Sequence, residues 1–138
     1  MLLIVEVLAM ATKRVLRDSV RLYNYIGEIC DNPLYQESII YHCYCPVQSS
    51  SVPGTTPTDT ATLYLFDANT VIESVDGVRR TFVPPCEWEK CDKSKHFTLT
   101  DNGKDYFRKG SSKEFVIRSV SHKVAGSRRM WHFEVIGK

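Results

Sequence analysis

Two groups of cysteine and histidine residues offer the metal chemistry in this sequence. The groups are His42, Cys43 and Cys45, and then Cys86, Cys91 and His96. Structural zinc needs four sulfur or nitrogen ligands in a tetrahedron, and roughly two to four residues between two cysteines aim both thiolates at one ion. Cys86 and Cys91 have that spacing, whereas on a strand Cys43 and Cys45 would share a face about 7 Å apart. We therefore predict no bound metal and interpret Cys43 and Cys45 as buried strand residues. A zinc-stabilised domain is kept as the third hypothesis.

A cysteine nucleophile would need one of the four histidines as its base. No local signature joins such a pair. The sequence has no G-x-S-x-G nucleophile elbow, no glycine-rich phosphate loop, no H-E-x-x-H and no D-x-D-x-D-G calcium loop. We therefore predict that the protein is not an enzyme and uses no cofactor.

Aromatic residues make up 11% of the chain. Those in strand-like segments are Tyr23, Tyr25, Tyr64, Phe66, Phe115, Trp131 and Phe133. Beside basic residues, such side chains stack single-stranded nucleic acid on OB-like barrels. Here the basic residues do not interleave with them regularly, and 18 Lys plus Arg against 16 Asp plus Glu leave a net charge of only +2. We interpret the aromatic residues as core and keep a small OB-like or SH3-like nucleic-acid-binding module as the alternative function.

The chain opens with an apolar run over residues 1–10, which Glu6 interrupts and which Lys13, Arg14 and Arg17 follow. A membrane-spanning helix needs roughly 20 apolar residues, and a secretory signal has its positive charge before the apolar run. Five cysteines, an odd number, indicate reduced thiols. These features predict a cytosolic chain without membrane association, in which residues 1–18 are an N-terminal extension.

Alternating apolar residues predict strands over most of the remaining chain. The predicted strands are 20–26, 38–45, 61–66, 71–75, 78–83, 105–108, 114–120 and 130–136. Asp76-Gly77 between two of them predicts a hairpin turn in which both residues have positive φ. Residues 48–59 contain two prolines, one glycine and many hydroxyl side chains, which predicts a long loop.

The fold class that follows is mainly β, a small barrel or sandwich of six to eight short antiparallel strands with at most a short N-terminal helix over residues 10–18. Residues 19–138 are expected to form a single β domain, because 138 residues are enough for one ordinary domain.

Three stretches, in chain order, resemble a known family. They are residues 19–24 (SVRLYN), 35–40 (YQESII) and 130–138 (MWHFEVIGK), and an Arg108-Lys109-Gly110 turn leads into a strand between the last two. They resemble small tailed-phage proteins encoded among the head and neck genes of phages and prophages of Gram-positive gut bacteria, which are described as minor capsid or head-closure proteins.

The resemblance implies a virion structural protein, a β-barrel-like subunit of the head-tail connector in the neck. Such a subunit acts by protein-protein assembly, as a homo-oligomeric ring that binds portal or adaptor proteins and tail proteins. It meets nucleic acid only as packaged DNA in the channel. Its implied location is the virion neck, and the host bacterial cytoplasm before assembly.

Two surfaces are expected to serve this assembly. The first is the loop at 48–59, which we expect to project, either to contact a neighbouring subunit or to occlude the channel, and to become ordered on assembly. Its candidate residues are Ser49, Val52, Pro53, Gly54 and Pro57. The second is the C-terminal strand, either as an edge that pairs with an adjacent subunit or as an ordinary internal strand. Its candidate interface residues are Arg128, Arg129 and Trp131.

Overall fold

Ten strands, one four-residue helix and one 3-10 turn are found in the part of the chain that the computed structural model describes, residues 18–50, 53–54, 58–67, 71–74 and 76–138. The strands are β1 (Asp18–Ile29), β2 (Asn32–Cys43), β3 (Val47–Ser50), β4 (Thr58–Phe66), β5 (Val71–Ser74), β6 (Arg79–Phe82), β7 (His96–Phe97), β8 (Tyr106–Lys109), β9 (Phe115–Lys123) and β10 (His132–Gly137). Helix α1 spans Pro85–Trp88, and the 3-10 turn spans Arg128–Met130.

A tight turn at Cys30 and Asp31 joins β1 to β2, with Ile29 paired to Asn32. Both turn residues have positive φ, 51° for Cys30 and 63° for Asp31. A two-residue hairpin loop of this kind matches the twist of its strands, but it favours Asn-Gly because a side chain in the left-handed region costs roughly 1–2 kcal/mol. The long antiparallel pairing of β1 and β2 therefore imposes this conformation on Cys30, which does not favour it, whereas Asp31 tolerates it.

Replacing Cys30 with Asn and Asp31 with Gly is expected to raise the free energy of unfolding by about 1 kcal/mol. The gain is smaller than the full relief of strain because glycine also increases the entropy of the unfolded chain. Urea unfolding monitored by circular dichroism measures the change. Cys30→Ser alone keeps the strained backbone and should change little, and a double variant no more stable than this control would contradict the prediction.

A bend at Tyr44 closes the sheet into a barrel. β1 lies between β2 and β8, and from β8 the antiparallel order continues through β9 and β10 to β4. After β2, the Tyr44 amide donates to the Tyr64 carbonyl (3.2 Å) and the Tyr64 amide to the Tyr44 carbonyl (2.8 Å), and β3 continues in the same register along β4. The chain from β2 through β3 thus pairs first with β1 and then with β4. Six strands, with β2 and β3 acting as one, complete the circle.

The bend is held by side chains as well as by the backbone. Asp18 accepts the Cys45 amide through Oδ2 (2.8 Å), and Lys109 Nζ donates to the Cys45 carbonyl (2.8 Å). The Lys109 ammonium also lies 3.6 Å from Asp18 Oδ2. These contacts join the start of β1, the bend and the end of β8 at the point where the barrel closes.

The hydrophobic core fills the barrel, because alternate residues of each strand point inward. Its buried residues are Val20, Leu22, Ile40, Cys43, Cys45, Ala61, Leu63, Leu65, Ile72, Phe97, Leu99, Phe107, Phe115, Ile117, Phe133 and Val135. The residues between them on the same strands, such as Arg21 and Tyr23, face outward.

Strands β5, β6 and β7 extend the sheet beyond β2. The predicted Asp76-Gly77 hairpin is confirmed, with Ile72 paired to Arg80. The turn differs from the expected one, because Gly77 has a φ of 82° whereas Asp76 has no positive φ. The Gly77 amide donates to the Ser74 carbonyl (3.0 Å), which makes Gly77 the left-handed residue after a tight turn.

The mainly β prediction is confirmed, and the closed circle of strands makes the architecture a barrel. Strand pairing is antiparallel except between β6 and β7. The ends of the expected loop at 48–59 are strands, since Gln48 pairs with Thr60 and Ser49 with Asp59. Residues with hydroxyl side chains are accommodated in an exposed edge strand, so the hydroxyl-rich sequence did not prevent β3 from pairing with β4. The helix expected at 10–18 falls almost wholly outside the described residues.

Candidate functional site

The cysteines of the first group lie inside the barrel, at the bend. Cys43 Sγ donates to the Asp18 carbonyl (3.3 Å). Burial raises the pKa of the Cys43 thiol strongly and that of the Cys45 thiol to about 12. Both thiols are therefore protonated at neutral pH, and they pack as small buried side chains in the core.

The second cysteine group lies on and just after α1. Cys86 is exposed, and Cys91 Sγ donates to the Trp88 carbonyl (3.2 Å). His96 Nδ1 lies 3.0 Å from Thr81 Oγ1. Within the described ranges, no three His, Cys, Asp or Glu side chains come together in a group that would hold a metal ion. The two cysteine and histidine groups therefore do not form a metal site within the described residues.

The expected assembly loop is only partly described. Ser49 is exposed and donates to Asp59 Oδ1 (2.7 Å), and Pro53 and Gly54 form an exposed turn. Val52 and Pro57 lie outside the described residues. The role of this loop in assembly stays a prediction.

The C-terminal strand is not an edge. β10 pairs with β4 on one side and with β9 on the other, so pairing of this strand with an adjacent subunit is ruled out. The reason is its place in the sheet order, between β4 and β9, which leaves no free edge on this strand. Arg128 and Arg129 lie in the exposed 3-10 turn before β10, and Trp131 follows that turn.

A cluster of four partly exposed tyrosines on the outer face of β1, β2 and β8 is the most distinctive surface of the barrel. We call it the tyrosine surface, and it consists of Tyr23, Tyr25, Tyr35 and Tyr106. Tyr23 and Tyr106 stack with ring centroids 4.5 Å apart, and Tyr35 meets Tyr106 edge to face at 5.0 Å. Tyr25 meets Tyr35 at 6.0 Å, and Lys104 Nζ lies 4.1 Å from the Tyr25 ring centroid.

Ion pairs border the tyrosine surface. Arg21 bonds Glu37 Oε1 (2.8 Å), and the Tyr23 hydroxyl donates to the same oxygen (2.8 Å). Although partial burial opposes it, these two hydrogen bonds lower the pKa of Glu37. Arg108 bonds Glu114 (3.1 Å) in the same way. The arginines beside the tyrosines are thus neutralised by carboxylates rather than free to meet phosphate.

An open groove of about 370 Å³ adjoins the tyrosine surface on the same face. Its lining residues are Ser19, Val20, Arg21, Ile39, Tyr41 and Gly110. Tyr41 is 48% exposed, and it follows the buried Ile40 on β2. The groove extends the aromatic and arginine character of the surface past the end of β8.

A buried polar network fixes the backbone that carries the tyrosines. Asn24, between Tyr23 and Tyr25, is fully buried and donates from Nδ2 to the Thr98 carbonyl (2.8 Å) and to Asp105 Oδ2 (2.9 Å). Asp105 precedes Tyr106 and accepts the Tyr25 amide through Oδ1 (2.8 Å). Burial raises the pKa of Asp105, and the hydrogen bonds from Tyr25, Asn24 and Asn102 oppose that rise. The network thus joins β1 to the segment that leads into β8.

The stability difference between the wild-type chain and Asp105→Asn is expected to shift against the wild type as pH rises from about 4 toward 7. The raised pKa means that the folded chain binds this proton more tightly than the unfolded chain, whose value is near 3.8. Stability from Asp105 is therefore fully present below that value and is lost as pH rises through the folded pKa. Urea unfolding of both proteins at several pH values tests this, and a difference independent of pH would contradict it.

The sequence contained a signal for the tyrosine surface. Val20, Leu22 and Asn24 alternate with Arg21, Tyr23 and Tyr25. Assigning the aromatic residues to the core was correct for Tyr64, Phe66, Phe115 and Phe133. It was wrong for Tyr23, Tyr25 and Trp131, which are partly exposed. Arg21 alternates in step with Tyr23 and Tyr25, and its charge indicated that this face of β1 is exposed. Tyr35 and Tyr106 lie beside these tyrosines only because β2 and β8 pair with β1.

Comparison with known proteins gives no family for this chain. No protein-family model, no curated protein and no solved structure matches it. Within the described residues, none of the helices combines the length and the apolar character that crossing a membrane requires.

Proposed function

We propose that the protein is a structural subunit of a phage or prophage virion, placed in the neck as a head-tail connector, head-closure or minor capsid protein. It acts by protein-protein assembly, with copies of itself in a ring and with portal or adaptor proteins and tail proteins. The observation that carries the proposal is the tyrosine surface with its bordering arginines. The resemblance of residues 19–24, 35–40 and 130–138 to the phage family is the reason for proposing the phage neck as the assembly.

The chemistry of this surface favours a protein partner. Tyrosine and arginine are enriched among the residues that dominate binding energy at protein interfaces, because they bury a large area and still offer hydrogen bonds. Arg21 and Arg108 are each paired with a carboxylate. A mixed surface of this kind matches the polar and charged groups of another protein better than a row of phosphates.

Single-stranded nucleic acid is the second candidate partner. The stacked pair Tyr23 and Tyr106 and the ammonium of Lys104 over Tyr25 supply the aromatic and cationic groups that such binding uses. Fluorescence anisotropy with a labelled single-stranded oligonucleotide at increasing salt separates the two functions. Binding that weakens steeply with salt would favour the alternative.

Co-expression with the portal, adaptor and tail proteins of the same phage or prophage tests the main proposal. The expected result is co-purification with at least one of them, together with a multimer in native mass spectrometry of the reduced chain. A chain that stays monomeric and retains none of these proteins would contradict the proposal. The same spectrum reports any bound zinc, which would revive the third hypothesis.

Replacing Tyr41 with Lys and Arg21 with Glu is expected to weaken co-purification with the particle partner, meaning the portal, adaptor or tail protein that the wild-type chain retains, at least about tenfold. Both side chains are about half exposed, so the fold should tolerate the change. Val78 is exposed to the same extent as Tyr41, 48%, and lies on the far side of β2 in the β5–β6 hairpin, so Val78→Lys is the matched control. Equal loss in both variants would show that the groove beside the tyrosine surface is not part of the interface.

A further inference from the structure

The β1–β2 hairpin continues beyond the barrel as a two-stranded arm. We call residues 26–34 the hairpin arm. Gly27 pairs with Leu34 and Ile29 with Asn32, and no other described strand pairs with these residues. A bulge between Tyr25 and Gly27 marks its base. An isolated ribbon of this kind is marginally stable in water, so a surface to pack on would stabilise it.

The hairpin arm exposes aliphatic side chains and carries only negative charge. Ile26 is 41%, Ile29 59% and Leu34 36% exposed. Ile29 and Leu34 share a face, because Leu34 is opposite Gly27 and Ile29 lies two residues further. Glu28 and Asp31 are acidic, and residues 26–34 contain no Lys, Arg or His. An apolar strip with an acidic border is a surface that a basic, apolar partner would cover.

The turn between β9 and β10 has the opposite character. We call residues 123–131 the basic turn. It holds Lys123, Arg128 and Arg129 and no acidic residue. Val124 is 52% exposed. The indole of Trp131 is fixed by its Nε1 bond to the Gly126 carbonyl (3.4 Å) and by the Arg128 guanidinium 5.5 Å from the ring centroid. The turn thus presents positive charge beside a fixed aromatic ring and an exposed valine.

The hairpin arm and the basic turn lie at the same end of the barrel but at different positions around its rim. β8 is antiparallel to β1 and to β9, so β1 and β9 run in the same direction, one toward the hairpin arm and the other toward the basic turn. β8 separates them. The exposure of Ile29 and Val124 shows that they do not cover each other within one chain.

We infer that the hairpin arm of one copy docks on the basic turn of a second copy of this chain. The contact joins two different surfaces, so every added copy still offers one free arm and one free turn. Such head-to-tail contacts produce rings when the rotation closes and filaments when it does not. The inference rests on the proposed assembly function and specifies which residues make the contact between copies.

Cross-linking tests the contact through a natural thiol at the tip of the arm. Cys30 and Cys86 are exposed and Cys91 is partly exposed, so the background is Cys86→Ser with Cys91→Ser. Ser127→Cys then adds a thiol to the basic turn. A short bismaleimide, which adds each of its ends to one thiol, is expected to give a ladder of dimers, trimers and higher species on a denaturing gel. The same chain with Cys30→Ser should give no ladder, and cross-linking that stops at dimers would overturn the inference.

Charge reversal gives an independent test by native mass spectrometry. Glu28→Lys with Asp31→Lys, and Arg128→Glu with Arg129→Glu, are each expected to weaken self-association at least about tenfold. In a mixture, the reversed arm of the first variant meets the reversed turn of the second, and the intact arm of the second meets the intact turn of the first. Each contact between different variants therefore joins opposite charges. Mixed multimers with alternating variants are therefore expected, and combining all four substitutions in one chain should restore self-association.

The outcomes separate this inference from the proposed function. A wild-type multimer that persists in both reversed variants, and that gives no ladder, would overturn the arm-to-turn contact while the assembly function stands. A monomeric wild-type chain that still co-purifies with a portal or tail protein would do the same. A monomer with no particle partner would contradict both.

Discussion

Replacing Asp105 with alanine is expected to lower the free energy of unfolding by roughly 2–4 kcal/mol. The carboxylate accepts the backbone amide of Tyr25 and the side-chain amide of Asn24, and Asp105 is 1% exposed. Alanine leaves both donors without this acceptor in a place where water is largely excluded, and each unsatisfied buried donor costs about 1–3 kcal/mol. Denaturant unfolding followed by tryptophan fluorescence measures the loss.

Two further variants distinguish the network from a general effect of the 98–105 segment. Asp101 is exposed in the same segment, so Asp101→Ala should change the free energy of unfolding by no more than about 0.5 kcal/mol. Asp105→Asn keeps one acceptor oxygen but turns an amide toward Asn24 Nδ2, and it should fall between the wild type and the alanine variant. Equal effects of Asp101→Ala and Asp105→Ala would refute the assigned role of the carboxylate.

The network also connects stability to the proposed binding surface. Asn24 and Asp105 each adjoin tyrosines in the chain, and their hydrogen bonds hold β1 against the segment that leads into β8. A rigid aromatic surface loses little conformational entropy when it binds. Asp105→Asn should therefore weaken binding of the particle partner even under conditions where the chain stays folded.

Gly137→Ala is the second substitution with a large expected effect, a loss of about 1–3 kcal/mol of unfolding free energy. A Cβ at Gly137 would lie 2.8 Å from Phe107 Cε1 and 2.8 Å from Phe115 Cβ. Both phenylalanines are almost completely buried, so neither ring has free space into which to move. The backbone at Gly137 has no positive φ, so the cost is steric crowding inside the barrel and not backbone strain.

A double-variant cycle tests this cause. Phe107→Leu alone removes buried aromatic volume and is expected to destabilise the chain. Combined with Gly137→Ala it should cost less than the sum of the two, because the smaller side chain leaves room for the added methyl group. Non-additivity of about 0.5–3 kcal/mol is expected for side chains in contact. Additive losses would mean that the methyl group does not meet Phe107.

Local pattern accounts for the parts of the fold that the sequence predicted. The strands around Asp76-Gly77 alternate or carry β-branched residues, and glycine supplies the positive φ that the turn needs. The β1–β2 turn escaped prediction because Cys30 does not favour left-handed backbone, although Asp31 tolerates it. Long-range pairing of β1 with β2 overrides that local preference.

The tyrosine surface was likewise predictable in part from local pattern and in part only from strand pairing. Period-two alternation placed Arg21, Tyr23 and Tyr25 on one face of β1, but alternation alone does not say which face is covered. Tyr35 and Tyr106 reach these residues through the register of β2 and β8, which no local pattern encodes. The partners of Asp105 are likewise far along the chain, for example Asn24.

By itself, the sequence determined the class of the fold, the positions of most strands and the lack of familiar catalytic motifs, because each of these depends on neighbouring residues. The tertiary structure alone decided that the sheet closes at Tyr44, that β10 is internal and that the hairpin arm stands beyond the barrel. Those features depend on which strands meet, and that is set by the burial of the whole core rather than by any one segment.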